Sequence, residues 1–197
     1  MAASIAVVVL VAVAAFTKSA QFPFQAWLPD AMVAATPVSA YLHAAAMVKA
    51  GVYLLLRFSE AMHAVPVWNL LLIVCGMTTA ALGAVFALQR DDLKELLAYS
   101  TISQLGFLVA TIGVGTPAAM VAAVVHTIAH ALFKSSLFMF VGVVDHQTGT
   151  RAMSGLPPLY RIMPGTAVGV GDPGGQDRSP SLPTTAVPGG HRDPLRR

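Results

Sequence analysis

Val124-Val-His-Thr-Ile-Ala-His-Ala-Leu-Phe-Lys134 decides how the rest of this chain is read. It lies inside an apolar run from Ala118 to Val144 that is long enough to cross a bilayer as a helix. His126, His130 and Lys134 recur at every fourth position, so on a helix they stack along one face. At the α-helical rise, successive members stand about 6 Å apart along the axis. Titratable groups in hydrocarbon are costly and mark functional sites by default. This spacing suits a proton passed along a file of groups and intervening water. Two other readings fit the same residues. One is a snorkelling lysine with two histidines hydrogen-bonded inside a bundle, and the other is a histidine pair that binds a metal ion or haem.

The composition places that helix in a membrane protein. Of 197 residues, 56% are hydrophobic and 11% charged, against about 25% charged in soluble domains. A net charge of +3 is no nucleic-acid signal, and the single cysteine, Cys75, excludes a disulfide within the chain. Lys18, Lys49, Lys94 and Lys134 all lie in or beside apolar segments, whereas six of the eight arginines fall at or after Arg151. Arginine stays charged, but a lysine taken out of water can release its proton, so this segregation suits a relay.

Working outward from the organising run, the spacing predicts about five membrane helices. Met1 to Phe16 is almost wholly apolar and lacks the basic start and cleavage site of a signal peptide, so it reads as a membrane helix running into Lys18. Pro23 and Pro29 follow, and neither can donate to the carbonyl four residues back, so the helix kinks or breaks there. Broken backbone at membrane depth persists only where protein or a water-filled cavity satisfies it, which puts Lys18 at a discontinuity. An interfacial lysine beside Trp27 is the plain alternative. Thr36-Pro37 starts a second helix, to about Phe58, with a capping hydroxyl before a first-turn proline. His43 and Lys49 on it differ by about 240° around the axis and so face different neighbours. Lys49, near the midpoint, cannot easily snorkel, which favours a paired or functional role. After a loop from Glu60 to Pro66, Val67 to Leu88 forms a third helix whose small residues allow close packing. Asp92 and Glu95 open a fourth helix as a variant capping box. It reaches about Ile112 and carries a polar patch of Tyr99, Ser100, Thr101, Ser103 and Gln104, with Lys94 in its first turn, where a lysine is often solvated. Gly113 to Pro117 turns into the organising helix.

After Val144 the character changes. Asp145 to Arg151 reads as a polar loop, and Gly155 to Arg197 holds eight prolines and eight glycines without a hydrophobic pattern. The expectation is a transmembrane helical domain over residues 1–150 and a disordered cytoplasmic tail over 151–197. Loop charges set the orientation: Arg90, Lys94, Arg151, Arg161 and the tail lie on one side, and Arg57 alone on the other. The positive-inside rule then puts the N-terminus outside and the C-terminus in the cytoplasm of a plasma-membrane protein.

Three blocks together resemble a known family. They are Lys18 to Met32 continued by Thr36 to Gly51, Asp92 to Gly106, and His126 to Arg151. They are similar to the antiporter-like membrane subunits shared by respiratory complex I and Mrp-type cation/proton antiporters, over roughly residues 5 to 163. Met47-Val-Lys-Ala-Gly51 and Asp145-His-Gln-Thr-Gly-Thr-Arg151 are most similar to the large A-type component of the Mrp antiporters. The resemblance implies sodium or another monovalent cation exchanged for protons by a hetero-oligomeric membrane complex, with no cofactor and no metal. It implies proton-translocation roles at Lys18, on a broken helix, and at Lys49, His126, His130 and Lys134, with His43 and Lys94 as further motif positions. It also implies about fourteen helices in two inverted repeats, with the lysine at position 18 paired to a glutamate on an earlier helix. No Asp or Glu lies inside an apolar centre here, so that carboxylate is expected from elsewhere. After about Ala167 the sequence departs from the family pattern, in the manner of a changed reading frame, and the chain reads as a fragment of such a protein. The alternatives are a proton-pumping membrane subunit of NADH-quinone oxidoreductase, a histidine-ligated metal or haem protein, and a non-functional remnant.

Overall fold

A computed structural model of the chain describes residues 2–62 and 64–155, and among them helices are joined by short turns with no strand. Helix α1, Ala2–Lys18, is followed by the single turn α2, Trp27–Asp30, and a 3-10 turn, Ala31–Val33. A continuous helix then combines α3, Thr36–Ser39, a π-helical segment, Ala40–Ala46, and α4, Met47–Met62. The three remaining helices are α5, Pro66–Leu88, α6, Leu93–Gly113, and α7, Pro117–Thr148. Thr36–Met62, α5, α6 and α7 are each long and apolar enough to cross a membrane, and Ile5–Lys18 is a shorter apolar helix. This agrees with the roughly five spans expected. The tail from residue 156 onward, Arg161 included, lies outside the described residues.

Local chemistry sets most helix ends where the sequence suggests. Pro66 and Pro117 occupy first-turn positions, where a missing N–H costs nothing. The carboxylate of Asp92 accepts from the backbone N–H groups of Lys94 at 2.7 Å and Glu95 at 3.3 Å. Only half of the expected box forms, because Glu95 turns to Arg90 instead, at 3.4 Å. Thr36 is already helical, and no side chain caps that end. The second helix runs past Phe58 to Met62, so Glu60 is helical rather than in a loop. Likewise Asp145 and His146 belong to the last turn of α7, which Gly149 closes in the left-handed region at φ 67°.

The break after α1 begins before the prolines. Ala20 is buried and left-handed at φ 49°, a conformation that costs a non-glycine residue about 1–2 kcal/mol. Its neighbours hold it there: Gln21 N–H donates to Phe16 O, and the Gln21 side chain donates to Ser19 O. Pro29 sits in the one-turn α2, where its missing N–H is an end group and breaks no ladder. The depth of this break follows from its contacts. A Cβ on Gly51, near the middle of the second span, would collide with Ala15 O and Ser19 N. Phe22 N–H donates to Thr79 Oγ1, near the middle of α5. Irregular backbone therefore sits deep in the bundle, and a neighbouring helix satisfies part of it.

The core gathers on α6. Its buried face carries Leu97, Ala98, Ile102, Leu105, Leu108 and Val109. Helix α5 approaches it across a glycine seam: a Cβ on Gly106 would stand 2.5 Å from Ala80 N and 2.6 Å from Gly76 O. Small residues substitute close van der Waals contact for the hydrophobic drive that lipid removes. On its other side α6 meets α7, and that seam holds most of the buried charge.

Candidate functional site

Helix α7 presents His126, His130, Lys134, Phe138, Val141 and Asp145 in one line, three or four residues apart, toward the bundle. His130 is fully buried, Lys134 is 3% exposed, and His126 is half-buried. The three titratable groups expected on one face do share it, and the ring centroids of His126 and His130 are 6.3 Å apart. Each then meets a different partner. His126 Nε2 stands 3.0 Å from the carboxamide oxygen of Gln104 on α6. Lys134 Nζ donates to Ser100 Oγ and to Leu97 O, also on α6. His130 Nδ1 lies 2.6 Å from Nζ of Lys49, which comes from α4.

That last contact determines what the site can do. Only one proton can lie between an amine and a ring nitrogen at this separation. With Lys49 as an ammonium, His130 Nδ1 accepts and Nε2 carries the ring proton. With Lys49 neutral, either its N–H donates to Nδ1 or Nδ1–H donates to the amine. Either way Nε2 is buried without a partner among the described residues.

Lys94 departs from the solvated reading. It is 4% exposed, 4.0 Å from Asp145 Oδ2 and 3.4 Å from Ala34 O. Reading Asp145 as part of a loop hides this partnership. His43 and Lys49 do face different neighbours. His43 lies in the π-helical segment, where Met47 N–H bonds Leu42 O five residues back, and it meets Trp27 edge-on at 6.1 Å. Trp27 in turn donates to Thr17 O, beside Lys18. Lys18 is the last residue of α1; its side chain is exposed and forms no ion pair with a described residue. The structure therefore brings Lys49, His130, His126 and Lys134 together, and sets Lys18 apart on an outer face.

Two openings lead toward these groups from opposite ends of the bundle. A groove of about 670 Å³ between α4 and α7 runs from Arg57 and Glu60 past Tyr53 to Lys49. A second, also about 670 Å³, lies among Asp30, Arg90, Asp92 and Arg151 and reaches Lys94. Among the described residues no three His, Cys, Asp or Glu side chains come together as a metal site requires.

Buried lysines and histidines in helix seams, together with a helix whose C-terminal end lies inside the bundle, define a multi-pass membrane protein. The transmembrane family described as NADH:quinone oxidoreductase/Mrp antiporter matches residues 2–170, and the chain belongs to it. The A/B-type component of a probable K(+)/H(+) antiporter of Rhizobium meliloti is 55% identical over 161 residues, covering 82% of this chain and 16% of that protein. The A-type component of the Na(+)/H(+) antiporter of Bacillus subtilis is 48% identical over 167 residues, covering 79% of this chain and 21% of the relative. A chain in the Mrp complex of Dietzia sp. DQ12-45-1b is 92% identical with a TM-score of 0.79, over 83% of this chain and 18% of that one. The chain therefore spans about a fifth of the length of the relatives it matches.

Proposed function

We propose that this chain forms part of the proton path in the large A-type component of a hetero-oligomeric Mrp antiporter, which exchanges protons for sodium or another monovalent cation. The observation that carries the reading is the Lys49–His130 contact, buried and continued along α7 by His126 and Lys134. In this reading Lys49 and His130 share one proton, and Lys134 and His126 extend the file along the α6–α7 seam. The Lys94–Asp145 pair stands at one end and the groove to Lys49 opens at the other. His43 and Lys18 are further members, Lys18 with a carboxylate from another segment or another protein of the complex. The experiment is cation-driven proton movement in membrane vesicles carrying the complete assembly. Lys134→Met keeps the aliphatic stem against α6 and removes the titratable amine. Exchange should fall by about 100-fold or more, the usual size of a lost proton-transfer group, with unchanged protein levels. Exchange at the wild-type rate would sink the proposal.

A proton-pumping subunit of a quinone oxidoreductase is the second reading, since the matching family spans both kinds of complex. It predicts proton movement driven by NADH oxidation and indifferent to added cation.

The orientation belongs to the same proposal. Arg90, Lys94 and Arg151 gather at the end of the bundle where α5 stops, α6 starts and α7 stops, and Arg57 lies toward the other end. The positive-inside rule makes the first end cytoplasmic. In a Cys75→Ser background, Ser181→Cys should resist an impermeant thiol reagent in intact cells and react in everted vesicles. Labelling from outside intact cells would reverse the orientation.

A further inference from the structure

Helices α6 and α7 run antiparallel, and their polar pairs leave one interval empty of polar side chains. Gln104 faces His126, Ser100 faces Lys134, and Lys94 faces Asp145. Between the second and third of these, α7 contributes Phe138, fully buried, and Val141, 4% exposed, while α6 contributes Leu97 and Ala98, 6% and 0% exposed. Lys134 Nζ reaches as far as Leu97 O, and from Leu97 to Lys94 is about 4.5 Å along α6, more than one hydrogen-bond length. A proton cannot cross that distance without water, and the largest group filling it is the Phe138 ring.

We propose that Phe138, backed by Leu97, is an apolar plug that separates the Lys94–Asp145 pair from the Lys134–His130–Lys49 group and keeps protons from crossing between them unless the cation is also moved. This rests on the proton path proposed above and adds a gate to it. An apolar constriction gates by dewetting: while the ring fills the seam no water file forms, and when the seam opens the file is complete. An antiporter needs such a barrier, because a continuous file of titratable groups would let protons through uncoupled. Lys94 lines the opening on that side, and Phe138 decides when protons pass from there to Lys134.

The test is proton leak through vesicles that contain the complete assembly, with choline replacing the transported cation. An imposed pH gradient should collapse about tenfold faster in Phe138→Ala than in wild type, which corresponds to lowering the barrier by about 1.4 kcal/mol. Phe138→Leu, which keeps most of the apolar volume, should remain tight. Leu97→Ala removes the other wall and should leak as well, which keeps the test open if Phe138→Ala fails to assemble. Adding His130→Asn to the leaking variant should restore the seal, since the leak uses the same file. Assembled Phe138→Ala and Leu97→Ala proteins as tight as wild type would overturn the plug. If His130→Asn alone abolishes exchange in that case, the proton path survives without it. If His130→Asn exchanges normally, the path itself is lost.

Discussion

Replacing His130 by Asn should reduce cation-dependent proton exchange by about 100-fold or more while the protein still folds and assembles. Asparagine is chosen from the geometry. Lys49 meets Nδ1, which is bonded directly to Cγ, and the Asn oxygen is bonded to the same carbon, so it can accept from Lys49 where Nδ1 did. The variant thus keeps a partner for a buried amine, whose loss would leave a polar group unpaired in the bundle, and removes only the capacity to titrate. Glutamine puts its oxygen one bond farther out, nearer the position of Nε2. It should lose exchange equally and destabilise more. A His126→Gln, His130→Asn double variant should lose less than the sum of the singles, because members of one pathway are not additive. A metal-binding role predicts instead that a chelator reproduces the loss in the wild-type protein. Exchange in vesicles, measured with and without chelator, separates these outcomes, and full activity in His130→Asn would remove His130 from the path.

The sequence made the helices legible because each long apolar run carries its own punctuation. Asp92 opens a helix as expected, Pro66 and Pro117 open theirs from the ends of the expected turns, and fourfold spacing alone is enough to put His126, His130 and Lys134 on one face. What it could not convey is partnership across seams. Ser100 and Gln104 stand out as a polar patch, but only the antiparallel register of α6 and α7 assigns them to Lys134 and His126. Lys94 looks solvated because first-turn lysines usually are. Its burial comes from Asp145 and Ala34, both distant in the chain. The π-helical segment around His43 leaves no composition signal, since Ala40–Ala46 suits an ordinary α-helix. Pro23 and Pro29 announce the break after Lys18, yet the chain leaves the helix earlier, at Ala20. The prolines forbid a continuous helix without deciding where it stops.

Lys18→Arg should abolish exchange as completely as Lys18→Ala, although it preserves the charge. Lys18 ends a helix that stops inside the bundle, with Ala15 and Ser19 packed on Gly51 and its own side chain on the exposed face. A cation at a helix C-terminus is favourable, and Arg satisfies that interaction as well as Lys does, so folding gives no reason for the Arg variant to fail. The difference lies in chemistry. A guanidinium remains protonated throughout the working pH range and holds a carboxylate in a bidentate grip, whereas an amine can release its proton and so let go of its partner. If Lys18 works by pairing and unpairing with a carboxylate supplied beyond this chain, Arg fixes it in the paired state and exchange stops. A carboxylate that meets Lys18 must also reach the outer face of α1, because the inner face is already packed against α4. Cross-linking between Lys18→Cys and cysteines scanned along neighbouring helices of the assembly would locate the helix that supplies it. If Lys18→Arg exchanges at near the wild-type rate while Lys18→Ala does not, the site needs a fixed positive charge at the end of α1 and not a proton that moves.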